Sequence, residues 1–222
     1  MRVDVSVPGS GTGGDRRGPI RRVRDATDDR LLSLRRIDIV QRPMARPVPV
    51  VRTKRDFDVV AVSDPASPHV AALLAAGRTG APENLASGDV GFVAFDGGIL
   101  AGWIWFTRRS HVDPYGGIRM NLQPHEGYTY DLYADPRYRP DGVAALLVQA
   151  MLRHVAEHHD DVEVVYSYVR ESNRESQVLL RMMFGFTSCQ KATSVRVLNH
   201  FGCQMPFRTT PSGGPSSRRR NR

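Results

Sequence analysis

Apolar residues between positions 56 and 200 recur at two different periods, which predicts strands alternating with helices. The segment FDVVAVS predicts a strand. SPHVAALLAAG predicts a helix with Pro68 in its first turn and Gly77 just after its end. DVGFVAFDGGILAGWIWFTRR predicts a hairpin, because the DGG at its centre tolerates the positive φ angles of a tight turn.

The second half of this region adds further strands and helices. YTYDLYA and VEVVYSYV predict strands, GVAALLVQAMLRHVAEHH predicts a helix, and NRESQVLLRMMFG predicts a helix that ends at Gly185. FTSCQKATSVRVL predicts a closing hairpin. The predicted order is β–α–(short α)–β–β–β–α–β–α–β–β. It favours an α/β sheet covered by helices, with some parallel pairing among the central strands.

Residues 19–55 are predicted to be an N-terminal extension outside the main domain. ATDDRLLSLRRIDIV offers Thr27 or Asp28 as an N-cap before closely spaced leucines, which predicts a short helix. Three prolines then indicate an irregular passage. We therefore expect the organised domain to span residues 56–207.

The formal charge of +8 lies at the two ends of the 222-residue chain. Residues 1–24 carry six Arg and two Asp, and residues 208–222 carry five Arg and no acid, so the rest has a net charge of −1. We predict disordered tails at 1–18 and 208–222 rather than a nucleic-acid surface. Gly9, Gly11 and Gly14 match G-x-G-x-x-G, but the following DRRGP breaks the helix that a dinucleotide site needs.

The remaining bulk features place few limits on function. Apolar residues make up 41% of the chain, which is enough for a packed core. Cys189 and Cys203 lack metal-site spacing and are too few for a disulfide scaffold, which favours the cytoplasm. No apolar run is long enough to span a membrane. The sequence leaves open whether the protein forms a homodimer.

The stretch RPDGVAA forms the corner between a predicted strand and a predicted helix. The first N–H groups of a helix lack partners and carry partial positive charge, so they suit a phosphate or pyrophosphate. Gly142 allows a close approach to the backbone, and Arg139 adds a fixed positive charge. These residues predict an anion cradle, although a plain packing corner fits the same pattern.

Two motifs resemble those of the GNAT superfamily of N-acetyltransferases. The stretch from Arg139 to Ala144 resembles the R/Q-x-x-G-x-G/A signature, and YDLYADPRY resembles its usual lead-in. Downstream, Asn173, Ser176 and Leu179, followed by GF, resemble N-x-x-S-x-x-L and G-F. The resemblance covers roughly residues 56–200.

This resemblance implies a GNAT-like mixed sheet with splayed central parallel strands and helices on both faces. It also implies direct transfer of an acyl group from acetyl-CoA to a primary amine on a small molecule or peptide, without a metal. The implied cofactor-binding residues form three groups: the pyrophosphate loop, the end of the preceding strand and the second motif. They are Arg139, Asp141, Gly142, Val143 and Ala144; Leu132, Tyr133 and Ala134; and Asn173 and Ser176.

The sequence departs from the family pattern in three places. Pro140 replaces the usual Gly and removes an N–H donor from the cradle. Asp141 brings a negative charge toward a diphosphate. Leu180 or Arg181 stands where relatives often have a Tyr that protonates the departing thiolate, because Gly185 is one residue further from Asn173 than usual.

Three residues on the YTYDLYA strand or at its start are candidates for the catalytic base. Asp131 lies in a strand expected to be central, where a carboxylate needs a partner or a task. Glu126 is expected to be more accessible to solvent. Tyr130 is expected on the face opposite Asp131, where it shapes the pocket or relays a proton. The connection at 108–126 is long for a hairpin loop and is expected to overhang the acceptor site.

The sequence leaves two other functions open. HVAEH, with His154, Glu157 and His158, spells the H-x-x-E-H pattern of a zinc metallopeptidase, although it lies at the far end of its helix from the cradle. A non-catalytic CoA-binding or partner-binding module on the same fold would also explain Pro140, Asp141 and the missing Tyr.

Overall fold

The computed structural model describes residues 2–5, 32–112 and 118–197. Their strands are β1 (Arg2–Val5), β2 (Leu32–Pro43), β3 (Asp58–Val62), β4 (Val90–Asp96), β5 (Ile99–Thr107), β6 (His111–Val112), β7 (Ile118–Asn121), β8 (Glu126–Ala134), β9 (Val164–Arg170) and β10 (Thr187–Val197). The α-helices are α1 (His69–Ala75), α2 (Ala81–Ala86), α3 (Val143–His158) and α4 (Arg174–Gln177). A 3-10 turn covers Arg139–Asp141, and a π-helical segment covers Val178–Met183.

The main sheet has seven strands in the order β10-β2-β9-β8-β5-β4-β3, and β1, β7 and β6 form a small second sheet. One face of the main sheet packs against α3, and the other packs against α1 and α2. Apolar side chains fill both layers, so helices cover both faces as the sequence pattern predicts. The α/β fold class is confirmed.

The central strands β8 and β9 are the parallel pair of the main sheet, and they separate along their length. Paired positions run from Glu126 with Val164 to Tyr128 with Tyr166. One residue further on, the Ser167 hydroxyl donates a hydrogen bond to the Thr129 carbonyl at 3.2 Å. Beyond this point the strands splay, and a groove opens between them.

Strand β2 corrects the predicted short helix and the predicted domain start. Residues 32–43 are extended and lie between β9 and β10, antiparallel to both. RIDIVQR alternates with period two, so Ile37 and Ile39 reach one apolar layer while Val40 reaches the other. The closely spaced leucines at the start of this segment suggest a helix when the sequence is considered alone. In a central strand, which is buried on both faces, apolar residues can occupy adjacent positions, so this spacing does not require a helix.

Arg42 ties β2 to the second motif. Its side chain is 1% exposed. Nε donates to the Phe184 carbonyl at 2.8 Å, and Nη2 donates to the carbonyls of Arg46 and Pro47 at 2.8 and 2.9 Å. Burial lowers the pKa of this guanidinium, and the nearby Arg46 adds to that effect. The N-terminal segment is therefore part of the domain.

Two other expectations differ from the structure. The predicted closing hairpin is one continuous strand, β10, and β2 supplies its antiparallel partner. Residues 2–5 pair with β7 instead of joining a disordered tail. The G-x-G-x-x-G stretch, Cys203 and the C-terminal tail lie outside the described residues. Within the described ranges, no helix is both long and apolar enough to cross a membrane.

Truncating Ile39 tests the placement of β2. Ile39 is fully buried, so Ile39→Ala removes packed atoms and leaves a cavity. We expect the free energy of unfolding to fall by about 2–5 kcal/mol in urea titrations. Val50→Ala is the control, because Val50 is 75% exposed and a surface change costs less than about 0.5 kcal/mol. Equal effects of the two changes would contradict the central position of β2.

Candidate active site

The groove between β8 and β9 has a volume of about 470 Å³. Its walls are the separated parts of the two strands, the start of α4 and the π-helical segment. The lining includes Thr129, Tyr130, Asp131, Leu132, Ser167, Tyr168, Asn173, Ser176 and Leu180. Most of the catalytic and second-motif candidates predicted from the sequence therefore lie along this groove.

A β-bulge places Asp131 at the head of the groove. Trp105 pairs with Tyr130 and Trp103 pairs with Tyr133, so Asp131 and Leu132 together oppose one residue of β5. Asp131 has a φ of +50°, a left-handed conformation that few side chains adopt. Because backbone strain of this kind costs about 1–3 kcal/mol, the surrounding structure must enforce it.

The bulge also changes the side of the sheet on which the Asp131 carboxylate lies. Oδ2 accepts a hydrogen bond from Trp103 Nε1 at 3.1 Å, and Oδ1 lies 3.2 Å from Arg78 Nη2. Trp103 and Tyr130 belong to the same apolar layer. The expectation that Asp131 and Tyr130 lie on opposite faces is therefore wrong, because strict alternation ends at the bulge.

A second cavity of about 280 Å³ adjoins the groove on the side of α1 and α2. Its walls come from residues 77–81, Asn84, Trp105, His111, Val112, Tyr130 and Asp131. Arg78, Tyr130 and Asp131 line both spaces. The two cavities therefore meet at these three side chains, and we call the smaller space the acceptor cavity after the role that we propose for it.

Tyr130 forms a wall of the acceptor cavity. Its hydroxyl donates to Asp89 Oδ2 at 2.6 Å, and Asp89 Oδ1 accepts from Arg109 Nη2 at 2.8 Å. Burial, with the Asp89 hydrogen bond and charge, raises the pKa of Tyr130 far above its usual range. The ring of His111 stacks on the Tyr130 ring with 4.1 Å between centroids. The hydrogen bond to Asp89 and the contact with His111 therefore hold Tyr130 in place as part of the cavity wall.

The expectation that Glu126 is accessible to solvent is wrong, because the residue is buried. It is 6% exposed. One carboxylate oxygen accepts from the Tyr166 hydroxyl at 3.0 Å, and the other accepts from the Gln123 N–H at 2.9 Å. These bonds join the starts of β8 and β9 at the closed end of the splay. The position suits a structural carboxylate better than a base.

The predicted anion cradle lies at the start of α3. The 3-10 turn ends at Gly142, whose φ of +88° is a left-handed value that favours glycine. Val143 and Ala144 then begin the 16-residue helix. Arg139 Nε donates to the Ala134 carbonyl at 3.0 Å, so its guanidinium fastens the loop to the end of β8. The first N–H groups of α3 therefore follow directly on the left-handed Gly142, and the predicted binding of an anion there stays a prediction.

A cation from the N-terminal segment balances the atypical Asp141. Arg55 Nε donates to Asp141 Oδ2 at 2.8 Å, and Arg55 Nη1 donates to Asp96 Oδ2 at 3.0 Å. The Lys54 N–H donates to the Asp141 carbonyl at 3.2 Å. Asp141 therefore anchors residues 52–55 beside the cradle, and its charge is paired instead of being directed at a ligand.

The second motif caps a helix and then widens into a π-helical segment. Asn173 Oδ1 accepts from the Ser176 N–H at 3.1 Å and so caps α4. The π-helical turn accommodates the extra residue before Gly185. Leu180 faces the groove, whereas Arg181 pairs with the buried Asp38 of β2. Tyr168 of β9 brings a phenol to the groove wall from a position that the motif does not predict.

The histidines of the H-x-x-E-H pattern pack on one another. The rings of His154 and His158 stack with 4.3 Å between centroids, and His158 Nδ1 contacts the His154 carbonyl at 3.1 Å. Burial lowers the pKa of His154, with further lowering by His158 and His159. No group of three or more His, Cys, Asp or Glu residues in the described part of the chain could hold a metal ion. The geometry gives the zinc-peptidase hypothesis no support.

Three residues of the site were not predictable from the sequence, because they are distant in the chain from the residues that they contact. Arg78 comes from the turn after α1, Arg55 from the segment before β3, and Asp89 from the start of β4. Gly77 marked the end of the α1 helix, but nothing in the sequence placed the next residue beside Asp131. His111 and Val112 of the 108–126 connection line the smaller cavity, while residues 113–117 lie outside the described ranges. The expected overhang of an acceptor site by this connection stays a prediction.

The family model of the acetyltransferase (GNAT) family matches residues 64–186, more than half of the chain. The matched region contains the parallel pair β8 and β9 and the groove that opens between them. The chain belongs to the GNAT family of acetyltransferases. No curated protein matches it in sequence.

Solved structures agree on the fold. A tandem GNAT protein from the clavulanic acid biosynthesis pathway superposes with a TM-score of 0.51 at 15% identity, covering 86% of this chain and 62% of that one. A conserved protein of unknown function from Staphylococcus epidermidis gives a TM-score of 0.51 at 10% identity, covering 87% and 71% of the two chains. This chain thus spans less than two thirds of the first relative.

Proposed function

We propose that this chain moves an acetyl group from acetyl-CoA directly to a primary amine. The observation that carries the proposal is the meeting of two cavities at Asp131. A reaction between two bound substrates needs two spaces that share one boundary, and holding both reactants there supplies proximity. Arg78, Tyr130 and Asp131 form that boundary.

The donor site in this proposal uses the groove and the cradle. The helix N-terminus at Val143 and Ala144, with the left-handed Gly142, would hold the pyrophosphate of acetyl-CoA. Leu132 and Tyr133 at the open end of β8 and Asn173 and Ser176 opposite would flank the pantetheine arm. The pairing of Asp141 with Arg55 supports this assignment, because it removes an uncompensated negative charge from the cradle.

Asp131 is the proposed proton acceptor. Trp103 and Arg78 fix its carboxylate at the boundary, where it can bind an incoming ammonium and take a proton from the attacking amine. The amine nitrogen forms a bond to the thioester carbonyl carbon as the carbon–sulfur bond breaks. One proton leaves nitrogen and one reaches sulfur, giving an amide and the free thiol of CoA.

Tyr168 is the proposed proton donor to the departing sulfur. The family position for a Tyr is filled by Leu180, which is 4% exposed, while Arg181 is engaged by Asp38. Tyr168 stands on the β9 wall of the same groove. A phenol from the strand would then replace the phenol that relatives often place on the helix.

Binding and turnover together test this function. Acetyl-CoA in large excess over its Kd is expected to raise Tm, because a ligand at 100 times Kd stabilises by about 2.7 kcal/mol. Amines added to that complex are expected to release free CoA thiol, measured with a thiol-reactive dye. Stabilisation without thiol release on any amine would favour the non-catalytic CoA-binding module, and the absence of both would exclude the donor site. The cytoplasm is the proposed compartment, because two cysteines are too few for the disulfide scaffold typical of a small secreted protein.

A further inference from the structure

Among the described residues of its walls, the acceptor cavity places an arginine, Arg78, beside a carboxylate, Asp131. Arg78 Nη2 and Asp131 Oδ1 are 3.2 Å apart, and the remaining polar groups of the walls include the neutral Asn84 and Thr79. The nearby Asp89 carboxylate is 2% exposed and is engaged by Tyr130 and Arg109. A polyamine would need several accessible carboxylates, whereas the described residues of the cavity walls offer Asp131, which already has an adjacent arginine.

Arg78 is held in a fixed position at the cavity edge. Its backbone N–H donates to the Leu73 carbonyl at 2.9 Å, which closes the C-terminus of α1 around Gly77 at a φ of +81°. Its guanidinium lies over the Trp103 ring, 4.7 Å from the centroid. A planar guanidinium fixed in this way can bind a carboxylate through two parallel hydrogen bonds.

The spacing of the two charges suits one small zwitterion. In an α-amino acid the nitrogen and the carboxyl carbon are about 2.5 Å apart, as follows from N–Cα and Cα–C bonds near 1.5 Å. Adjacent sites for an ammonium and a carboxylate are therefore what such a molecule needs. A volume of about 280 Å³ holds roughly nine water molecules at about 30 Å³ each, which is the scale of a single amino acid.

We infer that the acceptor is an amine carrying its own carboxylate, an α-amino acid, with Asp131 contacting the ammonium and Arg78 the carboxylate. This inference rests on the proposed acetyl transfer. It makes Arg78 a specificity-determining residue and the product an N-acetyl amino acid. Acetylation removes the positive charge that contacts Asp131, so the product keeps only its carboxylate contact with Arg78. The product is therefore expected to bind more weakly than the substrate.

Matched pairs of acceptors test the inference. Each pair is an L-amino acid and the amine formed by its decarboxylation, such as L-phenylalanine with phenethylamine and L-leucine with isoamylamine. In thiol-release assays with saturating acetyl-CoA, kcat/KM for at least one amino acid is expected to exceed that for its paired amine tenfold or more. Arg78→Gln is expected to lower this ratio at least tenfold, chiefly by raising KM for the amino acid. Arg153→Gln, on an exposed part of α3, is the control that keeps the ratio.

A binding measurement separates this inference from the proposed function. Calorimetric titration of the acetyl-CoA complex or the CoA complex with each pair is expected to show amino-acid binding that Arg78→Gln weakens at least tenfold. Amino-acid binding without thiol release would support the acceptor class and overturn the acetyl transfer. Two results would overturn the α-amino acid as acceptor without affecting the proposed acetyl transfer. One is equal thiol release for both members of every pair, and the other is an equal loss of kcat/KM for both members in Arg78→Gln. If no amino acid binds, the acceptor class is overturned as well.

Discussion

Asp131→Asn is expected to lower kcat/KM for amine acetylation by about 100-fold or more. General base catalysis contributes about 10²–10⁴ in rate, and the amide cannot take the proton. Asn has nearly the same shape, tolerates the φ of +50°, and leaves an oxygen to accept from Trp103 Nε1. We therefore expect Tm and acetyl-CoA affinity to stay close to wild type. Initial rates of thiol release at several acceptor concentrations measure the effect.

Asp160→Asn is the control for Asp131→Asn. Asp160 is exposed near the far end of α3 from the cradle, so its neutralisation is expected to leave kcat/KM unchanged. If Asp131→Asn keeps kcat/KM within threefold of wild type while acetyl-CoA still binds, Asp131 is not the base. If acetyl-CoA affinity falls in parallel with the rate, Asp131 shapes the donor groove instead.

Ala144→Asp is expected to weaken acetyl-CoA binding at least tenfold, with a Tm no lower than that of the uncharged Ala144→Asn variant. A carboxylate in the first turn of α3 favours the helix by about 0.3–1 kcal/mol. The same charge repels a pyrophosphate held there, at about 3 kcal/mol for unit charges 5 Å apart in an effective dielectric of 20, before screening by salt. Calorimetric titration gives Kd, and thermal unfolding gives Tm.

Ala144→Asn separates charge from size, because Asn and Asp side chains have the same shape. We expect Ala144→Asn to bind acetyl-CoA several-fold more tightly than Ala144→Asp, with a difference that shrinks as salt is added. Equal Kd values for the two variants would show that charge at this position is irrelevant and would count against the cradle. Gly142 is a poorer probe, because its φ of +88° would strain any other residue.

The motifs were predictable because each is a local pattern on one element. The α3 face repeats at helical spacing, so the start of this helix beside Gly142 could be placed from the sequence alone. Asn173 and Ser176 are neighbours on one helical turn, and they line the groove. Period and spacing carry such information without any knowledge of the rest of the sheet.

The wrong predictions concern places where two segments that are distant in the chain meet. β2 is extended because β9 and β10 bond to it on both sides, and propensity within residues 25–39 does not reveal these partners. Glu126 is buried because the Tyr166 hydroxyl and the Gln123 N–H satisfy it. In both cases tertiary contacts decided between conformations or environments that the local sequence left open.

The sequence by itself determined the family, the order of the main-sheet strands and their helices from β3 to β9, and the place where α3 begins. The reason is that hydrophobic period and motif spacing are properties of single elements. Only the tertiary structure decided that Asp131 leaves the alternation of β8 at a bulge and that Arg78 meets it there. It also decided that Arg55 neutralises Asp141. Ion pairs between segments tens of residues apart depend on how the sheet and its helices pack, and no local pattern records that packing.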